Sequence, residues 1–348
     1  RKRQLCWVDE QTGDVHLSTD LKRRILTANI YGVDLDAGAV EVTQLSLYLK
    51  MLEGENRQTL AAERDLFGSD TPLLPPLQDN IKHGNSLIAS DFSVVPDDLL
   101  RVHAFDWDIQ FAPIMKNGGF DAVIGNPPYV RPHNLEPEAK QYFWGHYGTF
   151  AKKSDLYCCF MERSISLCRE DGRFSFIVSS GWLRLDSFEN LRRHLLDRTS
   201  IEEIVDLPDR VFADAQVKTC ILVCRVTSSE KDRLAQHVVV KQQAEGTASP
   251  QLVQLRTIPA VAFGKTYKCI FDISISPRTE SVKVKVTAAG TPLGETFDVC
   301  FGLKTGDDEK FIHFGKEHPE DRRLLRGEDV GRFDCSFKNE YVCYLPDK

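Results

Sequence analysis

Apolar residues fall into two kinds of pattern along this chain. From Ala37 to Glu53 they recur at helical spacing, with Val40, Leu47 and Met51 on one stripe and Gly54 where such a helix stops. Leu21 to Asn29 predicts a shorter helix capped near Thr19 or Asp20. Elsewhere the apolar residues form short unbroken runs, the signature of buried strands, near residue 81, over Phe120 to Ile124, over Gly172 to Val178, and at 201–207 and 219–226. These runs alternate with helix-like segments near 136, 155 and 187, the order of a doubly wound α/β sheet. A short connection joins the last two runs, so they are expected to lie antiparallel. Leu5-Cys6-Trp7 and Val15-His16-Leu17 flank a loop containing Gly13 and predict a hairpin. Residues 54–80, with Pro72, Pro75 and Pro76, read as a connector. Composition shifts at Thr227 to Arg233. Beyond it, Val238-Val239-Val240 and Ser281-Val282-Lys283-Val284-Lys285-Val286 predict β structure, with little helix before His318.

The strand predicted at Phe120 to Ile124 runs through Gly125 into Asn126-Pro127-Pro128-Tyr129. Open α/β sheets bind ligands beyond the carboxyl ends of their strands. An amine conjugated to an aromatic ring is a poor nucleophile, because its lone pair is delocalised into the ring. The amide oxygen of Asn126 and the main-chain carbonyl of Pro127 can each accept one of its N–H groups and draw the nitrogen out of plane. Two prolines fix φ and remove two donors, so the loop presents carbonyls in a set direction. Tyr129 adds a flat face. Catalysis of this kind rests on positioning and preorganised dipoles. The geometry suits any planar amine, including an RNA base or a protein glutamine amide. Asp34, at the end of an earlier predicted strand, stands where nucleotide-binding α/β folds place the acid that reads a ribose.

These residues resemble the amino-directed DNA methyltransferases that use S-adenosylmethionine. The likeness is narrower still to the N6-adenine methyltransferase part of type IIG restriction-modification enzymes. Tyr31-Gly32-Val33-Asp34-Leu35-Asp36 matches that family's second motif, which implies that Asp34 accepts the cofactor's ribose hydroxyls and Leu35 meets its adenine. Ile81-Lys82-His83-Gly84-Asn85-Ser86-Leu87 resembles the third, which adds Asn85 and Ser86 to the cofactor site; many relatives carry Asp where Asn85 stands. Ser154-Asp155-Leu156-Tyr157 and Gly172 to Val178 resemble the fifth and sixth motifs, chiefly scaffold. Val211-Phe212 resembles the eighth, which implies that Phe212 and Tyr129 sandwich an extruded target base. The implied fold is a Rossmann-like class I methyltransferase sheet, mixed, with its last strand antiparallel. The glycine-rich first motif has no counterpart, so the sheet is expected to be incomplete at its amino-terminal side, with an upstream segment of the same protein supplying the central strand. Phe301 to Gly306 and Leu325 to Val330 resemble the opening of a TaqI-like target-recognition domain. The expected division is a partial methyltransferase domain at 1–228 and a connector with the start of a β-rich specificity domain at 229–348.

A formal net charge of −7 argues against a general nucleic-acid binder but leaves room for a local basic cleft. Lys152 and Lys153, after the Tyr-rich segment Tyr142 to Phe150, are the candidate DNA contacts. Double-stranded DNA is the expected partner and S-adenosylmethionine the expected cofactor, with no metal needed for methylation. Ten scattered cysteines without a Cys-x-x-Cys pair read as reduced thiols of a cytosolic protein, and no apolar stretch reaches membrane-spanning length. His313, His318, Cys335 and Cys343 fit no usual zinc spacing. Methylation at cytosine C5 needs a nucleophilic cysteine after proline, and no Pro-Cys occurs. A non-catalytic DNA-specificity module remains an alternative.

Overall fold

The computed structural model describes residues 6–8, 13, 15–55, 74–208, 217–243, 251–274, 277–291, 293–298, 302–303, 305, 308–332 and 334–343. The chain forms two compact units, residues 1–274 and 275–348.

In the first unit a hairpin, β1 (Cys6–Val8) and β2 (Val15–Leu17), leads into helix α1 (Thr19–Asn29). The Ser18 hydroxyl caps α1 by accepting from the Leu21 N–H. A two-stranded parallel sheet follows, β3 (Gly32–Asp34) beside β4 (Ile81–His83). Between them runs α2 (Ala37–Leu52), whose start is fixed by Asp36 accepting from Gly38 and Ala39. Its end coincides with Gly54 at φ +82°, a conformation that costs glycine little. The stripe read from sequence faces inward: Val40 and Met51 are buried and Leu47 is half-buried. The opposite stripe, Val42, Leu45 and Leu49, is bare at 63, 56 and 62% exposure.

The larger sheet has six strands in the order β10-β9-β7-β8-β6-β5. These are β5 (Phe120–Gly125), β6 (Cys168–Ser179), β7 (Thr199–Asp206), β8 (Thr219–Val226), β9 (His237–Gln243) and β10 (Leu252–Pro259). β5 is parallel to β6, while β8 lies antiparallel between β6 and β7, as the short connection predicted. β9 is parallel to β7, so the sheet runs on past residue 228. Helices α3 (Pro137–His146), α4 (Tyr157–Leu167) and α5 (Glu189–Arg198) belong to the same unit. Tyr157, Met161, Phe174, Trp182, Leu191, Leu195, Ile204 and Leu222 form the core where α4 and α5 meet the sheet. The buried Arg192 guanidinium donates to the carbonyls of Trp182, Leu185 and Lys268, which ties the segment after β10 to this core.

No hydrogen-bonded ladder joins β3 to β5 among the described residues. Aromatic rings bring the starts of the two strands together: Tyr31 meets Phe120 at 5.9 Å and Phe111 at 5.5 Å, and Phe111 meets Phe120 at 5.8 Å. Farther along β5, Ile124 is 87% exposed. Such an apolar residue on an unpaired edge is the feature natural sheets generally avoid.

In the second unit β11 (Ile312–Phe314) and β12 (Asp321–Arg323) flank β13 (Glu340–Cys343) in a small antiparallel sheet. Two expectations fail here: the alternating run Ser281 to Val286 lies inside helix α6 (Pro277–Ala289), and helix is not scarce before His318, with short helical turns also at Leu293–Thr296 and Asp308–Phe311. Val282, Val284 and Val286 are all more than half exposed. Alternation describes a strand only if a sheet is available to pair with it, and a segment without one satisfies its backbone locally as a helix.

Candidate active site

The loop after β5 is shaped by what surrounds it. A Cβ on Gly125 would stand 3.0 Å from Cε1 of Phe176, so the strand's last residue lies close against the core ring beside it. Beyond it Asn126 is exposed, Pro127 buried, Pro128 exposed and Tyr129 half-buried. Three successive residues pin the loop's downstream end. The Tyr129 hydroxyl donates to the Ile177 carbonyl at 3.3 Å, the Val130 carbonyl accepts the Leu156 N–H at 2.8 Å, and Arg131 forms an ion pair with Asp155 at 2.9 Å. The Tyr129 ring packs edge-on to Tyr157, 6.1 Å between centroids, and burial pushes its phenol pKa upward. Asn126 thus faces solvent, with Pro128, on a loop whose downstream neighbours are fixed.

Phe212 lies outside the described residues, as do Phe301, Lys304 and Gly306. The flanks of 209–216 are placed. Leu207 donates to the Thr219 carbonyl, and the N–H and hydroxyl of Ser180 both donate to the Lys218 carbonyl. With Ser179 opposite Thr219 in the ladder, both flanks stand beyond the carboxyl end of β6, next to the strand that carries Asn126.

At the end of β3, Asp34 is exposed, and one of its oxygens accepts the Asp36 N–H at 2.8 Å. Its other oxygen has no hydrogen-bond partner among the described residues. Leu35 is 54% exposed, its backbone held by His83, whose Nε2 lies 2.9 Å from the Leu35 carbonyl. An exposed carboxylate beside an exposed aliphatic side chain is the pairing a ribose and an adenine ring require. Gly84 cannot be larger: a Cβ there would come within 2.4 Å of Phe105 Cδ2. The amide oxygen of Asn85 already accepts the N–H groups of Leu87 and Ile88 at 3.0 and 3.3 Å. Its amino group is therefore the end not used in these bonds, and it is a donor. Ser86 is half-buried, and its carbonyl accepts the Trp107 indole N–H.

Lys152 and Lys153 are exposed on the turn that immediately precedes Ser154 and Asp155, both buried. The sequence did not mark Arg131 or single out Asp155. The available signal was a cation two residues past the motif and an acid just ahead of a helix. A separate cavity of about 650 Å³, lined by Leu17, Ile25, Leu26, Leu47 and Met51 among others, includes none of the candidate site residues.

Residues 28–212, just over half of the chain, match the family described as Eco57I restriction-modification methylase. The chain belongs to this family. The match takes in β3, β4, β5 and the loop that follows β5. Among similar proteins, the type II restriction enzyme and methyltransferase RM.Eco57I of Escherichia coli is 33% identical over 225 residues, which are 64% of this chain and 21% of the relative. The adenine-specific methyltransferase BrxX of Escherichia coli O9:H4 (strain HS) is 32% identical over 93 residues, 27% of this chain and 8% of that one. Among solved structures, the type IIG restriction endonuclease BpuSI aligns with a TM-score of 0.40 at 14% identity, covering 78% of this chain and 33% of the other. This chain spans about a fifth of RM.Eco57I. No described helix is long and apolar enough to cross a membrane.

Proposed function

We propose that this chain carries the methyl-transfer site of an adenine-specific DNA methyltransferase serving a restriction-modification or related defence system. The observation that carries the reading is the exposed Asn126 at the carboxyl end of β5, on a loop fixed at Tyr129, Val130 and Arg131. Asn126 Oδ1 and the Pro127 carbonyl accept the two N–H bonds of an adenine amine, and Tyr129 stacks on the base. Phe212 is assigned the second face. A paired adenine cannot present its lone pair, so the base is extruded, at a cost of a few kcal/mol offset by stacking and edge hydrogen bonds. S-adenosylmethionine supplies an electrophilic methyl group. Asp34 holds its ribose, Leu35 contacts its adenine, and Asn85 with Ser86 borders the ring, Asn85 as a donor. No metal enters the scheme.

The 1–228 part is assigned to methyl transfer and the 229–348 part to the beginning of sequence recognition. The open edges of β3 and β5, with Ile124, Val42, Leu45 and Leu49 bare, support the further proposal that an upstream segment seats a strand between them. Without that strand the chain neither binds the cofactor tightly nor transfers a methyl group. Calorimetric titration of the 348-residue chain with S-adenosylmethionine is expected to give weak or no heat, and tight binding would overturn this part. For the reaction itself, the intact protein is given labelled cofactor and duplex DNA, with Asn126→Ala as control. N6-methyladenine by mass spectrometry is the expected product. Methyl transfer to RNA or to a glutamine amide but not to DNA would overturn the reading.

A further inference from the structure

Arg131 is placed for more than scaffolding. It follows the catalytic loop by two residues, and its side chain is 59% exposed. Its partner Asp155 is 9% exposed, and the ion pair's approach is from Nε to Oδ1, at 2.9 Å. Among the described residues its terminal amino groups have no other protein partner, and the side chain is largely open to solvent. Asp155 cannot follow a ligand outward. It is buried just ahead of α4, and its neighbour Leu156 donates to the Val130 carbonyl. The same turn displays Lys152 and Lys153, both exposed. Three cations therefore crowd the downstream end of the base-binding loop in a chain whose net charge is −7. A planar guanidinium fork with N–H groups left to solvent is the geometry that clasps a phosphodiester.

We propose that Arg131 is a DNA-backbone binding residue, held by Asp155 so that its terminal amino groups clasp the phosphate next to the extruded base. This rests on the reading given under Proposed function. Asp155 is a positioning residue: it sets the direction of the fork and ties it to the Asn126 loop.

The experiment measures binding of the intact protein to a mixed-sequence duplex carrying one unpaired adenine, by fluorescence anisotropy across a range of salt. Neutralising one phosphate contact changes the slope of log affinity against log salt by about 0.9. Arg131→Ala is expected to weaken binding and to lower the slope by about that amount, while Arg131→Lys keeps the slope with weaker binding. Arg131→Ala strands a buried carboxylate, so Arg131→Gln combined with Asp155→Asn serves as the second variant and should show the same slope loss. An unchanged slope in both overturns the proposal, including when the melting temperature falls, which is what a structural role alone would give. Methyl transfer by the unsubstituted protein is scored separately. If no adenine is methylated yet the slope responds to Arg131, the catalytic reading fails and the phosphate contact stands.

Discussion

Ile124→Ala separates the chain alone from the protein with its sheet completed. Ile124 is 87% exposed, so removing three of its carbons takes almost nothing out of a packed environment. Exposed substitutions of this kind usually stay within about 0.5 kcal/mol. The lower β-propensity of alanine adds up to about 1 kcal/mol, the same in both forms. If a strand is seated between β3 and β5, the side chain becomes buried, and truncating a buried isoleucine costs about 2–5 kcal/mol. For a domain of this size that is a fall of roughly 4–20 °C in melting temperature. Thermal and urea unfolding followed by circular dichroism, run on the 348-residue chain and on the intact protein with and without the substitution, give the comparison. The readout is the difference between the two forms. Equal effects in both, small or large, would refute the claim that the edge of β5 is covered in the working protein.

Three further predictions follow from local geometry. Asn126→Ala should lower kcat by at least about 10²–10³-fold, as loss of one preorganised polar contact does, while the melting temperature of the intact protein moves little because Asn126 is exposed; a large loss of stability would mean the residue is structural. Gly84→Ala forces a Cβ to within 2.4 Å of the buried Phe105 and should cost about 1–3 kcal/mol with weakened cofactor binding. Gly145→Ala, in α3 with nothing within 4 Å of the new Cβ, is the matching control and should be neutral or stabilising by thermal melting. Asp321 gives a pH prediction. Burial pushes its pKa up, but hydrogen bonds from the His318 N–H, the His313 ring and the Glu317 N–H outweigh that and hold it at about 2, against 3.8 unperturbed. A lowered folded pKa means stability that is present above pH 3.8 and is lost as pH falls through about 2. Acid unfolding of the second unit, followed by tryptophan-independent circular dichroism, should therefore flatten across that window in Asp321→Asn.

Much of the first unit was legible because its elements carry strong local signals. Helical apolar spacing with a glycine stop, and uninterrupted apolar runs, fixed α2, β5, β6, β7 and β8 to within a few residues, and the short connection between β7 and β8 disclosed their antiparallel pairing; the cap of α1 fell one residue earlier than expected, on Ser18. The run Ser281 to Val286 misled because periodicity says nothing about whether a partner strand exists, and here the backbone closed on itself as a helix. At the site, residue types were readable and their local bonding was not. Nothing in the sequence shows that the oxygen of Asn85 is consumed by Leu87 and Ile88, because that depends on how the chain turns after β4. The tie between Arg131 and Asp155 was hidden for the same reason: it is a contact between two loops that only the fold brings together.

The ring contacts among Tyr31, Phe111 and Phe120 have a thermodynamic side. They fasten the roots of two strands that share no backbone bonds, so the spacing between those strands is set before anything enters. If a guest strand is seated in that slot, as proposed above, part of the ordering entropy that association would otherwise consume has already been spent in folding. Loosening that clasp, without touching a single residue of the slot itself, should make the guest bind more slowly and less tightly.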